Sequence, residues 1–105
     1  MPRPKKHRRI CARPAHRCFK PNGVPMRQLE SIELYADEFE ALRLSDYLQL
    51  NQVDAAAQMN VSRQTFGNII NRARKKVAGS LVLGQALMLE NLEEDHHDYC
   101  NSDSE

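Results

Sequence analysis

The sequence has no tryptophan, only four glycines and three cysteines, and no proline beyond Pro25. No apolar run approaches the ~18 to 20 residues needed to span a bilayer, and no signal-peptide-like apolar segment follows the basic N-terminus. These absences point to a soluble, cytoplasmic protein without a membrane partner. Cys11, Cys18 and Cys100 make an odd count outside the expected core, unlike a secreted disulfide framework, so reduced thiols are the expectation. The chain also lacks a glycine-rich phosphate loop, a nucleophile beside a base, and carboxylates at metal-ligand spacing. It reads as a non-enzyme that needs no cofactor.

What is present fits one modest domain: 105 residues, 41% of them hydrophobic. The net charge of +1 conceals strong segregation. Residues 1–27 carry +9, residues 28–61 carry −6, residues 62–80 carry +5 and the remainder −7. Two basic blocks set apart by acidic ones suggest a polyanionic partner bound at particular surfaces.

All five prolines and most of the basic charge lie in residues 1–28, which excludes a regular helix there and reads as an extended arm. Glu30 to Leu34 alternates with period two, placing Ile32 and Leu34 on one face of a short strand. Asp37 and Glu38 then suit the first turn of a helix through about Tyr47, with Tyr35, Phe39 and Leu42 in one stripe and Leu44 and Leu48 beside it. A second helix is expected from an Asn51 cap to Met59, with Val53, Ala56 and Ala57 at helical spacing. A third starts after Ser62 and repeats Phe66, Ile69, Ile70, Ala73 and Val77, with Gly84 as its stop. Ala86 to Leu89 reads as a second strand able to pair with Ile32 to Leu34, within one chain or across a dimer. The tail from Asn91 is acidic and poor in apolar residues, hence disordered by expectation. The expected organisation is therefore an arm (1–28), a domain (29–90) and a tail (91–105). Its fold class is mainly α: a three-helix helix-turn-helix domain with one or two short flanking strands and an extended basic arm.

A helix-turn-helix needs a small residue on its first helix and a turn residue that tolerates positive φ. Ala56 and Asn60 supply these, while Val53, Met59, Val61, Phe66 and Ile69 supply the apolar positions between the helices. An ordinary helical hairpin shares this apolar spacing, so the polar face of the third helix decides. Ser62 is a strong N-cap, and Arg63, Gln64 and Thr65 follow in a first turn whose amides favour phosphate. At about 100° per residue, Gln64, Gly67, Asn68, Asn71 and Lys75 fall opposite the apolar stripe. Gln and Asn can pair with adenine, Arg with guanine, and Thr with the thymine methyl, while Gly67 would let the helix approach the groove closely. Arg63, Gln64, Thr65, Asn68 and Asn71 are the candidate base readers. Ser62, Arg72, Arg74, Lys75 and Lys76 are the candidate phosphate contacts.

Arg3, Lys5, Lys6, Arg8 and Arg9 form an arm suited to following the backbone or entering the minor groove. RNA binding by the arm is an alternative, with Phe19 as the nearby stacking aromatic. Cys11, His16 and Cys18 are weak metal-site candidates, because their spacing matches no paired Cys-x-x-Cys pattern. His96, His97 and Cys100 are weaker still, so no metal is expected.

The opening Met1-Pro2-Arg3-Pro4-Lys5-Lys6, the run Asp37-Glu38-Phe39-Glu40-Ala41-Leu42-Arg43-Leu44, and Val61-Ser62-Arg63-Gln64-Thr65-Phe66 followed by Ala73-Arg74-Lys75-Lys76 carry a resemblance. Over about residues 1 to 90 the chain resembles a family of small uncharacterised prokaryotic proteins described as predicted DNA-binding proteins, whose central part is similar to region four of sigma factors. The resemblance implies DNA binding, with Ser62 to Lys76 as recognition helix. Two departures stand out: Asn60 where Gly is usual, and Tyr35-Ala36 in place of the usual hydroxyl residue at the first helix cap. The expectation is a sequence-specific binder of double-stranded DNA, a transcriptional regulator able to work as a homodimer. The alternative is an interaction module that uses the same fold to contact RNA polymerase or another regulator through the acidic middle and tail.

Overall fold

The computed structural model describes residues 9–11 and 14–90, and the backbone of Asp98–Tyr99. The element order is β1 (Arg9–Ile10), β2 (Cys18–Phe19), a 3-10 turn (Met26–Gln28), β3 (Ser31–Leu34), α1 (Ala36–Leu42), a π-helical segment (Arg43–Tyr47), α2 (Gln52–Met59), α3 (Arg63–Leu83), β4 (Ala86–Leu89) and β5 (Asp98–Tyr99). Three helices are joined to a three-stranded sheet of order β2-β4-β3, so the fold is mixed helix and strand, with more strand than expected. β4 lies in the middle, parallel to β3 with Ser31 opposite Ala86 and Leu34 opposite Leu89, and antiparallel to β2. The pairing anticipated for Ile32–Leu34 with Ala86–Leu89 thus forms within one chain.

The main core is made by helices alone. Ala41 and Leu44 meet Ala55, Ala56 and Met59 of α2 and Phe66, Ile69 and Ile70 of α3. A second cluster joins the sheet to α3 through Leu34, Ala73 and Leu89. Burying side chains of this size contributes roughly 1.5–3 kcal/mol each, which is why α3, with both clusters on one stripe, organises the fold. Val53 is the exception, being exposed on the outer side of the first turn of α2. It plays no part in holding α2 to α3.

The first helix differs from expectation at both ends. Tyr35, without a side-chain cap bond, is the residue before it; Glu38 Oε1 instead accepts from Tyr35 N at 2.9 Å, and Glu90 Oε1 accepts from Ala36 N at 2.6 Å. Two carboxylates therefore take over the work of the missing hydroxyl cap. At the other end the chain widens into a π segment closed by Leu48 N to Arg43 O at 2.8 Å, and Gln49 exits at φ 65. Tyr35 and Leu48 consequently lie exposed rather than on the apolar stripe.

The N-terminal region also departs from a free arm. At residues 9–11 it is docked: Ile10 is fully buried against Ala36, Cys11 N donates to Glu40 Oε2 at 3.3 Å, and β1 runs parallel to β5. Ile10, the Cys11 amide and the pairing of β1 together anchor this stretch. The expected disorder of the tail falls mostly outside the described residues, but Asp98–Tyr99 is paired strand.

Candidate nucleic-acid interface

α2 ends on Asn60 at φ 59, ψ 44, the left-handed conformation expected of it, and Val61 N returns to Ala56 O at 3.1 Å. Asn51 caps α2, its Oδ1 accepting from Asp54 N at 2.8 Å. Ser62 caps α3 in the same way, accepting from Thr65 N at 3.0 Å, and its hydroxyl lies 3.0 Å from that of Thr65. The turn between the helices is thus only Asn60-Val61-Ser62. It is short because the left-handed residue reverses the chain without an extra loop.

Seen down its axis, α3 has four sides. Phe66, Ile69, Ile70 and Ala73 face the core. On one flank Arg72 Nε reaches Glu38 Oε2 at 3.1 Å, and Lys76 Nζ reaches Glu38 Oε1 at 2.7 Å and the Glu33 carbonyl at 2.8 Å. Lys76 also sits 4.0 Å from the centroid of the Tyr35 ring. On the other flank Arg74 clamps Asp46 through Nε (3.1 Å) and Nη2 (2.8 Å) and touches the Ser45 hydroxyl at 3.2 Å. That pairing raises the Arg74 pKa above its ordinary value, as hydrogen bonding to Glu40 does for Arg43. Gly67 belongs to this flank too: a Cβ there would meet Gln52 Oε1 at 3.7 Å, an ordinary contact, so the position adjoins the start of α2.

The fourth side is Gln64, Asn68, Asn71 and Lys75, all exposed. Their side chains engage no hydrogen bond among the described residues. Arg63 is exposed beside them, and Thr65 is half-buried with its hydroxyl committed to Ser62. The stripe carries three amides, one cation and no acid. Of the expected phosphate contacts, Lys75 is open, whereas Arg72, Arg74 and Lys76 all serve ion pairs with the first helical region. Their side chains are 44%, 46% and 20% exposed, so the two arginines keep an outward face and Lys76 is structural.

Reading charge along the sequence missed where the acids go. Asp37, Glu38 and Glu40 are all buried, Glu40 held bidentately by Arg43 at 3.0 and 2.8 Å, Asp37 with its nearer oxygen 3.9 Å from Arg72. Only the spacing of Arg72 and Lys76, one helical turn apart, hinted at a shared partner. Three of the seven acids of the acidic middle are therefore internal, while Glu30, Glu33, Asp46 and Asp54 stay exposed.

Arg3, Lys5, Lys6 and Arg8 lie outside the described residues; Arg9 is exposed in β1. Cys11 is disulfide-bonded, which corrects the expectation of reduced thiols and withdraws it as a thiolate ligand, while Cys18 is a free thiol with Sγ 3.9 Å from Met26 Sδ. His16 packs edge-on to Phe19 at 6.3 Å between centroids. Among the described residues no group of three or more His, Cys, Asp or Glu is placed to hold a metal ion. Among them, too, no helix is long and apolar enough to cross a membrane.

The family described as protein of unknown function DUF134 matches residues 1–96. The chain belongs to that family. Its relatives include a UPF0251 protein of Vibrio vulnificus (strain YJ016), 61% identical over 95 residues that make up 90% of this chain and 95% of that protein. A UPF0251 protein of Aeromonas salmonicida (strain A449) is 59% identical over 90 residues, 86% of this chain and 88% of its own length. One from Shewanella sediminis (strain HAW-EB3) is 55% identical over 89 residues, 85% and 93% of the two chains. The DUF134 match takes in all three helices and β4. No solved structure matches the chain.

Proposed function

We propose that this DUF134 protein binds double-stranded DNA in a sequence-specific way and regulates transcription, with α2 and α3 acting as a helix-turn-helix of the kind found in region four of sigma factors. The observation that carries the reading is the exposed, acid-free stripe Gln64, Asn68, Asn71 and Lys75, on a helix whose two flanks are tied down by Glu38 and Asp46. An exposed stripe on an ordinary helix more often mixes Glu with Lys. Amides make bidentate bonds to adenine, and a helix fixed on both sides presents them without losing side-chain and backbone freedom on binding.

Arg63 and Thr65 add base contacts at the N-terminal end, and the capped N-terminus with Ser62 receives a phosphate. Lys75 and the outward faces of Arg72 and Arg74 contact phosphates further along. The basic residues before β1 add attraction that is insensitive to sequence. In this arrangement the buried acids of α1 serve the site indirectly, by orienting the helix. The interaction-module reading has a smaller acidic surface to draw on, since Asp37, Glu38 and Glu40 are internal and Glu30, Glu33, Asp46 and Asp54 are the exposed acids of the middle.

Selection from a random duplex pool tests the proposal. Enrichment of a defined site, lost when Gln64 and Asn68 are both replaced by alanine, is the expected result. Recovery of unenriched duplex, or an enriched site indifferent to both substitutions, would overturn it.

A further inference from the structure

β1 and β5 pair in parallel with Arg9 opposite Asp98 and Ile10 opposite Tyr99, and continuing that register by one residue aligns Cys11 with Cys100. Cys11 is disulfide-bonded and Cys18 is a free thiol. With three cysteines in the sequence, the partner of Cys11 within the chain is Cys100. Two strands of two residues each are too short to hold together by themselves, so the cross-link is what keeps β5 beside β1. β1 itself is held independently, by Ile10 packed on Ala36. The tail leaves the domain at the same place: Glu90 accepts from Ala36 N through Oε1 at 2.6 Å, and its own amide donates to Leu34 O at 3.0 Å.

Charge gives this link a consequence. Residues 1–9 carry five cations and no acid, whereas residues 91–105 carry six acids and no Lys or Arg. We propose that the Cys11–Cys100 disulfide is a redox latch that holds the acidic tail beside the basic arm and so withholds the arm from polyanions until the bond is reduced. The proposal rests on the DNA reading only for the identity of that polyanion. A dithiol reductant opens the latch: one of its thiolates attacks a sulfur of the bond, and its second thiol resolves the mixed disulfide. Two electrons and two protons pass to the protein, leaving Cys11 and Cys100 as thiols and the reductant as its own disulfide. A low-molecular-weight disulfide closes the latch by the reverse exchange. On opening, β5 loses its tether while Ile10 keeps β1 in place, so the five cations stay next to the domain without their neutralising partner.

The test uses the full chain and heparin, a polyanion without base sequence, so that it is independent of the DNA reading. Peptide mapping of the oxidised monomer should recover Cys11 linked to Cys100, and a map that links either residue to Cys18 overturns the proposal. Oxidised wild type should bind heparin about tenfold or more weakly than reduced wild type at low salt, the two converging as salt rises. Cys100→Ser should bind as tightly as the reduced form under both conditions, and Cys18→Ser should keep the redox difference. Equal binding by the two redox states of wild type overturns the proposal, as does a difference that survives in Cys100→Ser. A latch that operates on heparin in a chain that binds no duplex supports the proposal and removes the DNA reading alone.

Discussion

Lys76 and Glu38 meet at 2.7 Å with the carboxylate fully buried and its second oxygen held by Arg72 at 3.1 Å. A lone buried carboxylate would be strongly unfavourable, and here two cations and the Tyr35 amide compensate it. Glu38→Gln keeps the shape but leaves both cations without their charge partner. Since those cations are partly solvated, the expected loss is about 2–3 kcal/mol, below the range for wholly buried pairs, measured by urea unfolding. Asp46→Asn, which breaks the exposed pair with Arg74, should change stability by no more than about 1 kcal/mol. Equal effects at the two sites would contradict the burial seen at Glu38.

The turn before α3 depends on Asn60 in the left-handed region. Asn60→Ala should destabilise by roughly 1 kcal/mol, because a Cβ without the Asn amide is penalised there, while Asn60→Gly should stay within about 0.5 kcal/mol of wild type. Thermal or urea unfolding of the pair reads the difference. Alanine equal to glycine would show that the turn does not need positive φ.

Base-reading and phosphate-binding residues should separate by salt and sequence. Gln64→Ala and Asn68→Ala should each cost ~1 to 3 kcal/mol on the selected site and little on random duplex, whereas Lys75→Ala should weaken both alike and reduce the salt slope by about one. Fluorescence anisotropy over a salt series makes the comparison. Identical losses on both duplexes for all three would remove base recognition from this stripe.

Deleting residues 1–8 removes basic residues ahead of β1 and spares Ile10. Stability should stay within about 0.5 kcal/mol, affinity should fall on every sequence, and the ratio of specific to random binding should hold. Ile10→Ala should instead destabilise by about 2–5 kcal/mol, as a buried isoleucine that leaves a cavity does. Calorimetry and anisotropy together distinguish the two.

α3 was legible because its determinants are local: Ser62 caps, Phe66 to Ala73 repeats with helical period, and Gly84 at φ 70 ends it. The same holds for Asn51, Asn60 and the two four-residue strands. What escaped was set by distant partners. Glu38 and Lys76 lie 38 positions apart, and nothing near either residue announces the other. Periodicity registers apolar burial, so it is blind to acids that enter the interior with their cations. Ile10, isolated among basic residues, forms no pattern, and Val53 fits a helical stripe yet points outward from the first turn of α2. Of the candidate site, the amide stripe was visible beforehand, while the division of the basic residues between open and committed required the packing of α1.

The parallel pairing of β3 with β4 brings together residues from either side of all three helices, with Ser31 opposite Ala86. Such a contact forms only after a long chain segment has been closed, and that entropic cost delays it relative to neighbouring-helix contacts. The order of events this implies is α2 against α3 first, joined by a three-residue turn, and the sheet last. A nascent chain would then expose Leu34 and Ala73 until β4, with Leu89, has left the ribosome, so a truncation before Ala86 should leave a helical but loosely packed and aggregation-prone species.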